Sequence, residues 1–232
     1  MSRYATTDLH GCLHTFRRLV EEGLRLTRAD ELYLLGDYVN KGPVSKGVLD
    51  YLMQLQAAGY RVHCLRGNHD QALLDDAAHR HRWAWMSLPG RQPTLRSFGV
   101  RRASDIAPHY LAWLDALPYE IELPDFVLVH AGYDFALPPA EMRQDHATML
   151  TIKKFVFDPS RLGGKRLLHG HVPRPAAQIR VQAAQRVGAL GLDSGCVYRH
   201  NVGFAQLTAL NLDTWGLIQM PNCEPAYSIG RR

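Results

Sequence analysis

Short apolar runs alternate with amphipathic stretches through the first half of the chain, the pattern of strands and helices taking turns in an α/β sheet. Tyr4 to Thr7 predicts a first strand, and Leu13, Phe16, Leu19, Val20 and Leu24 then recur at helical spacing. Leu32 to Leu35 predicts a second strand, followed by Val48, Tyr51, Leu52 and Leu55 on one helix face. Val62 to Leu65 predicts a third, with a helix after it. From His79 to Arg102 the period is lost among Trp83, Trp85, Pro89, Gly90, Pro93, Gly99 and four arginines, predicting an irregular excursion that either carries substrate contacts or is a solvated loop whose aromatics seal the core. Tyr110, Trp113, Leu114 and Leu117 resume a helix. The second half reads as strands joined by turns. Tyr119 to Leu123 and Phe126 to Val129 flank a Pro124-Asp125 break, and Leu167-Leu168, Leu190 to Leu192, Phe204 to Leu210 and Leu217 to Met220 follow. The expected fold class is α/β, a two-sheet β-sandwich flanked by helices, in one domain over residues 1–232 with no repeat or linker to divide it.

Composition narrows this little. With 46% hydrophobic and 21% charged residues the chain has the make-up of a globular protein with a sizeable core. No apolar run approaches the roughly 18 residues of a membrane span, and the N-terminus lacks the apolar region of a secretion signal, so a cytoplasmic protein without a membrane partner is expected. Cys12, Cys64, Cys196 and Cys223 are scattered, with no C-x-x-C pair, and read as reduced thiols. The net charge of +5 suits an anionic substrate. The base-stacking and groove-reading motifs of nucleic-acid binders are missing.

Chemistry collects where the apolar runs end. The first runs into Asp8-Leu9-His10-Gly11, the second into Gly36-Asp37 and the third into Arg66-Gly67-Asn68-His69-Asp70; later ones run into His130-Ala131-Gly132 and His169-Gly170-His171. Ligands of α/β sheets sit at the carboxyl ends of strands, so one site can gather all five clusters. Taken singly each is weak, because a Gly-Asp after a strand is usually a turn and Asn68 could be a helix cap. Five in order are not. His14, His63, His79, His81, His109, His146 and His200 have no motif around them and read as surface or core imidazoles.

In this order the blocks TDLHG, GDYVNKG, GNHD, HAG and GHV resemble the calcineurin-like metallophosphoesterases, and within them the phosphoprotein-phosphatase family with its bacterial serine/threonine phosphatases and symmetrical dinucleoside-tetraphosphatases. The resemblance implies that Asp8, His10 and Asp37 hold a first metal ion, and that Asp37 bridges to a second held by Asn68, His130 and His171. Carboxylate, imidazole and amide donors suit manganese first, with iron or zinc as alternatives. Such a pair activates a bridging hydroxide for direct attack on phosphorus. His69 would protonate the leaving oxygen, and Arg66 and Asn68 would contact phosphate oxygens. Asp70 and His169 are expected only to support the ligands.

The departures bear on substrate. Asn40 stands where many relatives have an Asp that orients the catalytic His; its amide oxygen is expected to accept the ring N–H, leaving His69 a weaker base. Lys41 and Lys153 replace phosphate-gripping arginines, keeping charge and losing the bidentate fork. Thr7 replaces an opening Gly, expected to alter only the turn. In Leu192-Asp193-Ser194-Gly195-Cys196, a stretch expected near the metals, neither Ser194 nor Cys196 is needed as a nucleophile. Hydrolysis of phosphate monoesters comes first, a phosphoprotein or small ester being the partner. A dinucleoside polyphosphate is the enzyme alternative, and a metal- and phosphate-binding protein with decayed turnover the alternative outside enzymes.

Overall fold

Strands buried on both faces need apolar side chains at every position, so runs such as Phe126–Val129 carry no alternation, while the edge run Val62–Leu65 exposes His63. In the computed structural model, which describes residues 1–80 and 91–227, they form two sheets. The first has the order β3 (Arg61–Cys64), β2 (Glu31–Leu34), β1 (Arg3–Thr6), β8 (Gln206–Asn211), β9 (Leu217–Pro221). The second runs β4 (Glu120–Glu122), β5 (Phe126–Val129), β6 (Arg166–His169), β7 (Ala189–Gly191). β1, β2 and β3 are parallel, as are β5, β6 and β7, so the loops after them open on a common direction within each sheet.

Successive side chains divide between layers. Ala5, Tyr33 and Leu210 of the first sheet meet Phe126, Leu128, Leu168 and Leu190 of the second in the core between the sheets, joined by Ile179 of α8 (Ala176–Ala184). Leu32, Leu34 and Val62 face the other way. They pack against Phe16 of α1 (Leu13–Arg18), Leu49 and Leu52 of α2 (Ser45–Ala57), Leu73 of α3 (Asn68–Ala77) and Leu114 of α5 (Pro108–Asp115). Val127, Val129 and Leu167 cover the outer face of the second sheet with Met142 of α6 (Pro139–Gln144) and Met149 of α7 (His146–Thr151). The result is the expected sandwich with helices outside.

The expected strands fall within about two residues of the observed ones, and the Pro124-Asp125 break is a hairpin turn in which Leu123 N–H donates to Phe126 O at 2.8 Å. Two expectations fail. Within the supposed excursion Arg91–Phe98 is a helix, α4, its Thr94 and Leu95 buried; Trp83, Trp85, Pro89 and Gly90 lie outside the described residues. The second half, expected to be strands and turns, also carries α6, α7 and α8. α6 and α8 begin with Pro at or just before the first turn, a start signal that outweighs a weak period. Among the described residues no helix is long and apolar enough to cross a membrane.

Candidate metal centre

Tight turns at the strand ends swing the side chains inward. Asp8, His10 and Asp37 have φ of 52°, 43° and 60°, and His171 has 68°, a left-handed backbone that Asp, Asn and His tolerate better than other side chains. The first two loops are laced by main-chain bonds, Asp8 N–H to Gly36 O at 3.1 Å and His10 N–H to Asp37 O at 2.8 Å. Gly67 is required by close approach: a Cβ there would lie 2.2 Å from both the nitrogen and Oδ1 of Asp37.

The side chains converge in two groups that share one carboxylate. Nitrogen and oxygen donors of His10, Asp37 and His69 lie within 4.8 Å of one another, as do those of Asp8, Asp37 and His130, and all five residues are buried. Asp37 Oδ2 is 3.4 Å from His10 Nε2, while its Oδ1 is 3.5 Å from His130 Nε2. Asn68 Oδ1 lies 2.9 Å from both His130 Nε2 and His171 Nδ1. Thus the six expected ligands meet at one spot.

The donor set fits a pair of cations. His10 Nδ1 faces Val39 O at 3.0 Å and His130 Nδ1 faces Leu35 O at 2.8 Å. A carbonyl only accepts, so both rings carry their proton on Nδ1 and turn a lone pair on Nε2 into the cluster. Burial, reinforced by Lys41, pushes His10 and His69 well below the ordinary imidazole range, and burial with His130 takes His171 down to about 3. Neutral imidazoles are what a metal needs. Burial next to the Asp8 carboxylate holds Asp37 and Asp193 well above the usual carboxylate range. A divalent ion is the charge partner these acids lack.

Around the donors, the expected supporting residues take definite roles. Asp70 accepts N–H bonds from Asp37 (2.8 Å), Tyr38 (3.0 Å) and Gly67 (2.9 Å), tying the second and third loops together. Burial and the Asp37 charge raise it to about 7. Thr7 does more than alter a turn: its hydroxyl donates to Asp8 Oδ2, which also accepts the His171 N–H at 3.0 Å. His169 stays outside the cluster, its Nδ1 3.1 Å from Gly170 O and its ring edge-on to Phe155. Asp193, unassigned from sequence, is buried and feels the charges of Asp8, Lys41 and Asp37; an acid directly after an apolar run was the available signal.

The Asn40 contact is reversed. Its Oδ1 accepts the Lys41 backbone N–H at 3.0 Å, which leaves Nδ2 2.6 Å from His69 Nδ1. An amide nitrogen only donates, so His69 Nδ1 accepts and the ring proton sits on Nε2, 3.9 Å from Asp37 Oδ2. Lys41 Nζ lies 2.7 Å from His10 Nε2, at the first group of donors. Arg66 departs from expectation, because its fork is already committed. Nη1 donates to Gln71 Oε1 (2.7 Å) and Tyr119 Oη (3.0 Å), and Nη2 to the carbonyl and carboxylate of Asp115. Lys153 is exposed, its charge reaching His171. Ser194 donates to Gln206 O, and Cys196 is buried.

Comparison with known proteins agrees with this geometry. The model of the calcineurin-like phosphoesterase family matches residues 1–201. Curated relatives include the symmetrical bis(5'-nucleosyl)-tetraphosphatases of Aromatoleum aromaticum, 36% identical over 132 residues, and of Chromohalobacter salexigens, 39% identical over 142 residues. These alignments take in 57% and 60% of this chain but 44% and 46% of the relatives, so the match spans less than half of their length. Among solved structures, a putative diadenosine tetraphosphatase superposes with a TM-score of 0.68 at 23% identity, covering 96% of this chain and 94% of that one. A Saccharomyces cerevisiae serine/threonine phosphatase similar to human PP5 superposes with a TM-score of 0.69 at 13% identity, covering 97% and 81%. At such identities these two speak for the fold alone. The family match over most of the chain, together with the fold, means that the protein belongs to the calcineurin-like phosphoesterases.

Proposed function

We propose that the chain is a two-metal phosphoesterase acting on dinucleoside polyphosphates, ahead of the phosphomonoesters that the sequence put first. The observation that carries the chemistry is the shared carboxylate: Asp37 turns one oxygen to His10 and the other to His130. On this reading Asp8, His10 and Asp37 hold one ion, and Asn68, His130 and His171, with Asp37 shared, hold the other. When bound, two such ions lower the pKa of a coordinated water and neutralise the phosphoryl oxygens. Manganese is the first choice and the donor types also admit iron or zinc.

The chain's own groups do the rest. The oxygen of a hydroxide, formed when the water has lost a proton to solvent, makes the new bond to phosphorus as the bond to the leaving phosphate oxygen breaks. His69, with its proton on Nε2, offers that N–H as a hydrogen-bond donor to the leaving oxygen and steadies the charge that develops there. A phosphate leaving group is a weaker base than a serine alkoxide and needs less help from the acid, in keeping with the uncharged Asn40 behind His69. Lys41 supplies positive charge beside the first donors, Lys153 supplies it at the rim, and Asn68 adds its amide. Arg66 stands beside the site without gripping phosphate, since its fork is held by Gln71, Tyr119 and Asp115. The names of the curated relatives support the substrate class.

The test is a substrate panel with manganese: diadenosine tetraphosphate, p-nitrophenyl phosphate and a phosphoserine peptide, with metal analysis of the same sample. The first should be turned over with the highest kcat/KM and up to two ions should bind. Preference for the peptide would overturn the substrate assignment, and metal without turnover on any of the three would leave a binding protein.

A further inference from the structure

A cavity of about 340 Å³ lies beside the metal centre and takes no part in holding it. Arg66, two positions before Asn68, forms one wall. α7 forms another, and its Met149 carbonyl accepts the N–H of Ala131, the neighbour of His130. Tyr119 and His146 line it as a stacked pair, ring centres 3.9 Å apart and planes 11° from parallel. His146 is exposed and Tyr119 covers only one of its faces, leaving an aromatic surface on which a flat ring can stack.

The charges argue against a phosphate here. Arg66 is matched by Asp115 at 3.2 Å, and Arg80 by Asp75 at 3.1 Å. Asp75 is 3% exposed; its Oδ1 accepts Gln71 Nε2 and Arg80 Nε, while its Oδ2 is buried with no hydrogen-bond partner among the described residues. A buried acceptor left without a partner is costly and calls for a donor. The cavity therefore offers an aromatic face, hydrogen-bonding side chains in its wall and no unmatched cation. Its volume is in the range of small-molecule sites. We infer that it is a nucleoside subsite, taking one base and ribose of the substrate while the phosphates lie over the metal donors. This rests on the proposed substrate class.

Adenosine, which carries no phosphate, is the direct probe. Titrated calorimetrically into the manganese-loaded full chain, it should bind, and His146→Ala should weaken it about tenfold, as loss of one stacking partner does. His146→Phe, which restores a flat ring, should recover the affinity. The selectivity for diadenosine tetraphosphate over p-nitrophenyl phosphate, as a ratio of kcat/KM, should fall about tenfold in His146→Ala through KM rather than kcat. Absence of adenosine binding at millimolar concentration, or equal affinity in the unaltered protein and His146→Ala, would overturn the subsite. If dinucleotides are not hydrolysed yet adenosine binds through His146, the substrate assignment falls and the subsite stands. If they are hydrolysed with selectivity unchanged in His146→Ala, the subsite falls and the substrate assignment stands.

Discussion

Asp8, His10 and Asp37 come from the ends of two neighbouring parallel strands in one sheet, whereas Asn68, His130 and His171 come from three segments drawn from both sheets. All three members of the first group sit in left-handed backbone and are laced by main-chain hydrogen bonds between adjacent loops. In the second group only His171 is so held; Asn68 opens a helix and His130 directly follows a strand. The first group is set by local backbone, and the second by how well the two sheets pack. Asp37 belongs to both, and Asp8 reaches across through the His171 N–H.

Removing the shared member should erase the contrast. Asp37→Ala is expected to lower turnover by more than about 1000-fold, a loss near 4 kcal/mol of transition-state stabilisation, with metal content falling in both groups. Plasma emission analysis would check it; retention of two ions would refute the bridge.

Leu168→Ala should separate the halves. Leu168 is fully buried between the sheets, so its truncation should cost about 2–5 kcal/mol in urea unfolding. The same variant should loosen the ion that His171→Ala abolishes more than the one that His10→Ala abolishes. Equal loosening would mean that packing governs both groups alike.

Asn40→Asp with Lys41→Arg touches only the surroundings of the first group. A carboxylate would accept a ring N–H from His69 Nδ1, and turnover of p-nitrophenyl phosphate should rise by about threefold to tenfold, below the full range of acid catalysis. An unchanged or lower rate would count against the idea that these residues soften the site. The smallest effect concerns protons. Burial beside Asp8 pushes the Asp37 carboxyl well above the usual carboxylate range, so cation binding, which needs the carboxylate, should release protons, and more of them as the pH is lowered. His10 and His171, pushed below the ordinary imidazole range by burial, should add little. Calorimetric titration in two buffers of different ionisation heat measures this; no release would mean the carboxyl is ionised beforehand.

The sequence told most where local order and chemistry coincide. Strands such as Leu32 to Leu35 are buried on both faces, so they read as unbroken apolar runs, and each donor stands within three positions of the end of one. Partners brought in from far along the chain were not legible. Arg66 looked like a free fork because Tyr119 and Asp115, which occupy it, lie about fifty positions away. The Asn40 amide could be placed either way round until the Lys41 N–H fixed its oxygen. α4 was hidden by Pro93 in its first turn, where a proline costs a helix nothing. His146 had no motif, its neighbour in the stack being Tyr119.

The left-handed turns also limit what this centre can become. Apart from glycine, the residues that enter that backbone readily are Asn, Asp and His, and these are also borderline-to-hard ligands. A Glu or Cys at position 8, 10 or 37 could in principle coordinate a metal, yet would meet a backbone penalty before any metal arrived. The loops thus filter their own mutations toward oxygen and imidazole donors. Drift to a thiolate centre, and to the soft metals it would favour, would carry a backbone cost of about 1–2 kcal/mol at each such position.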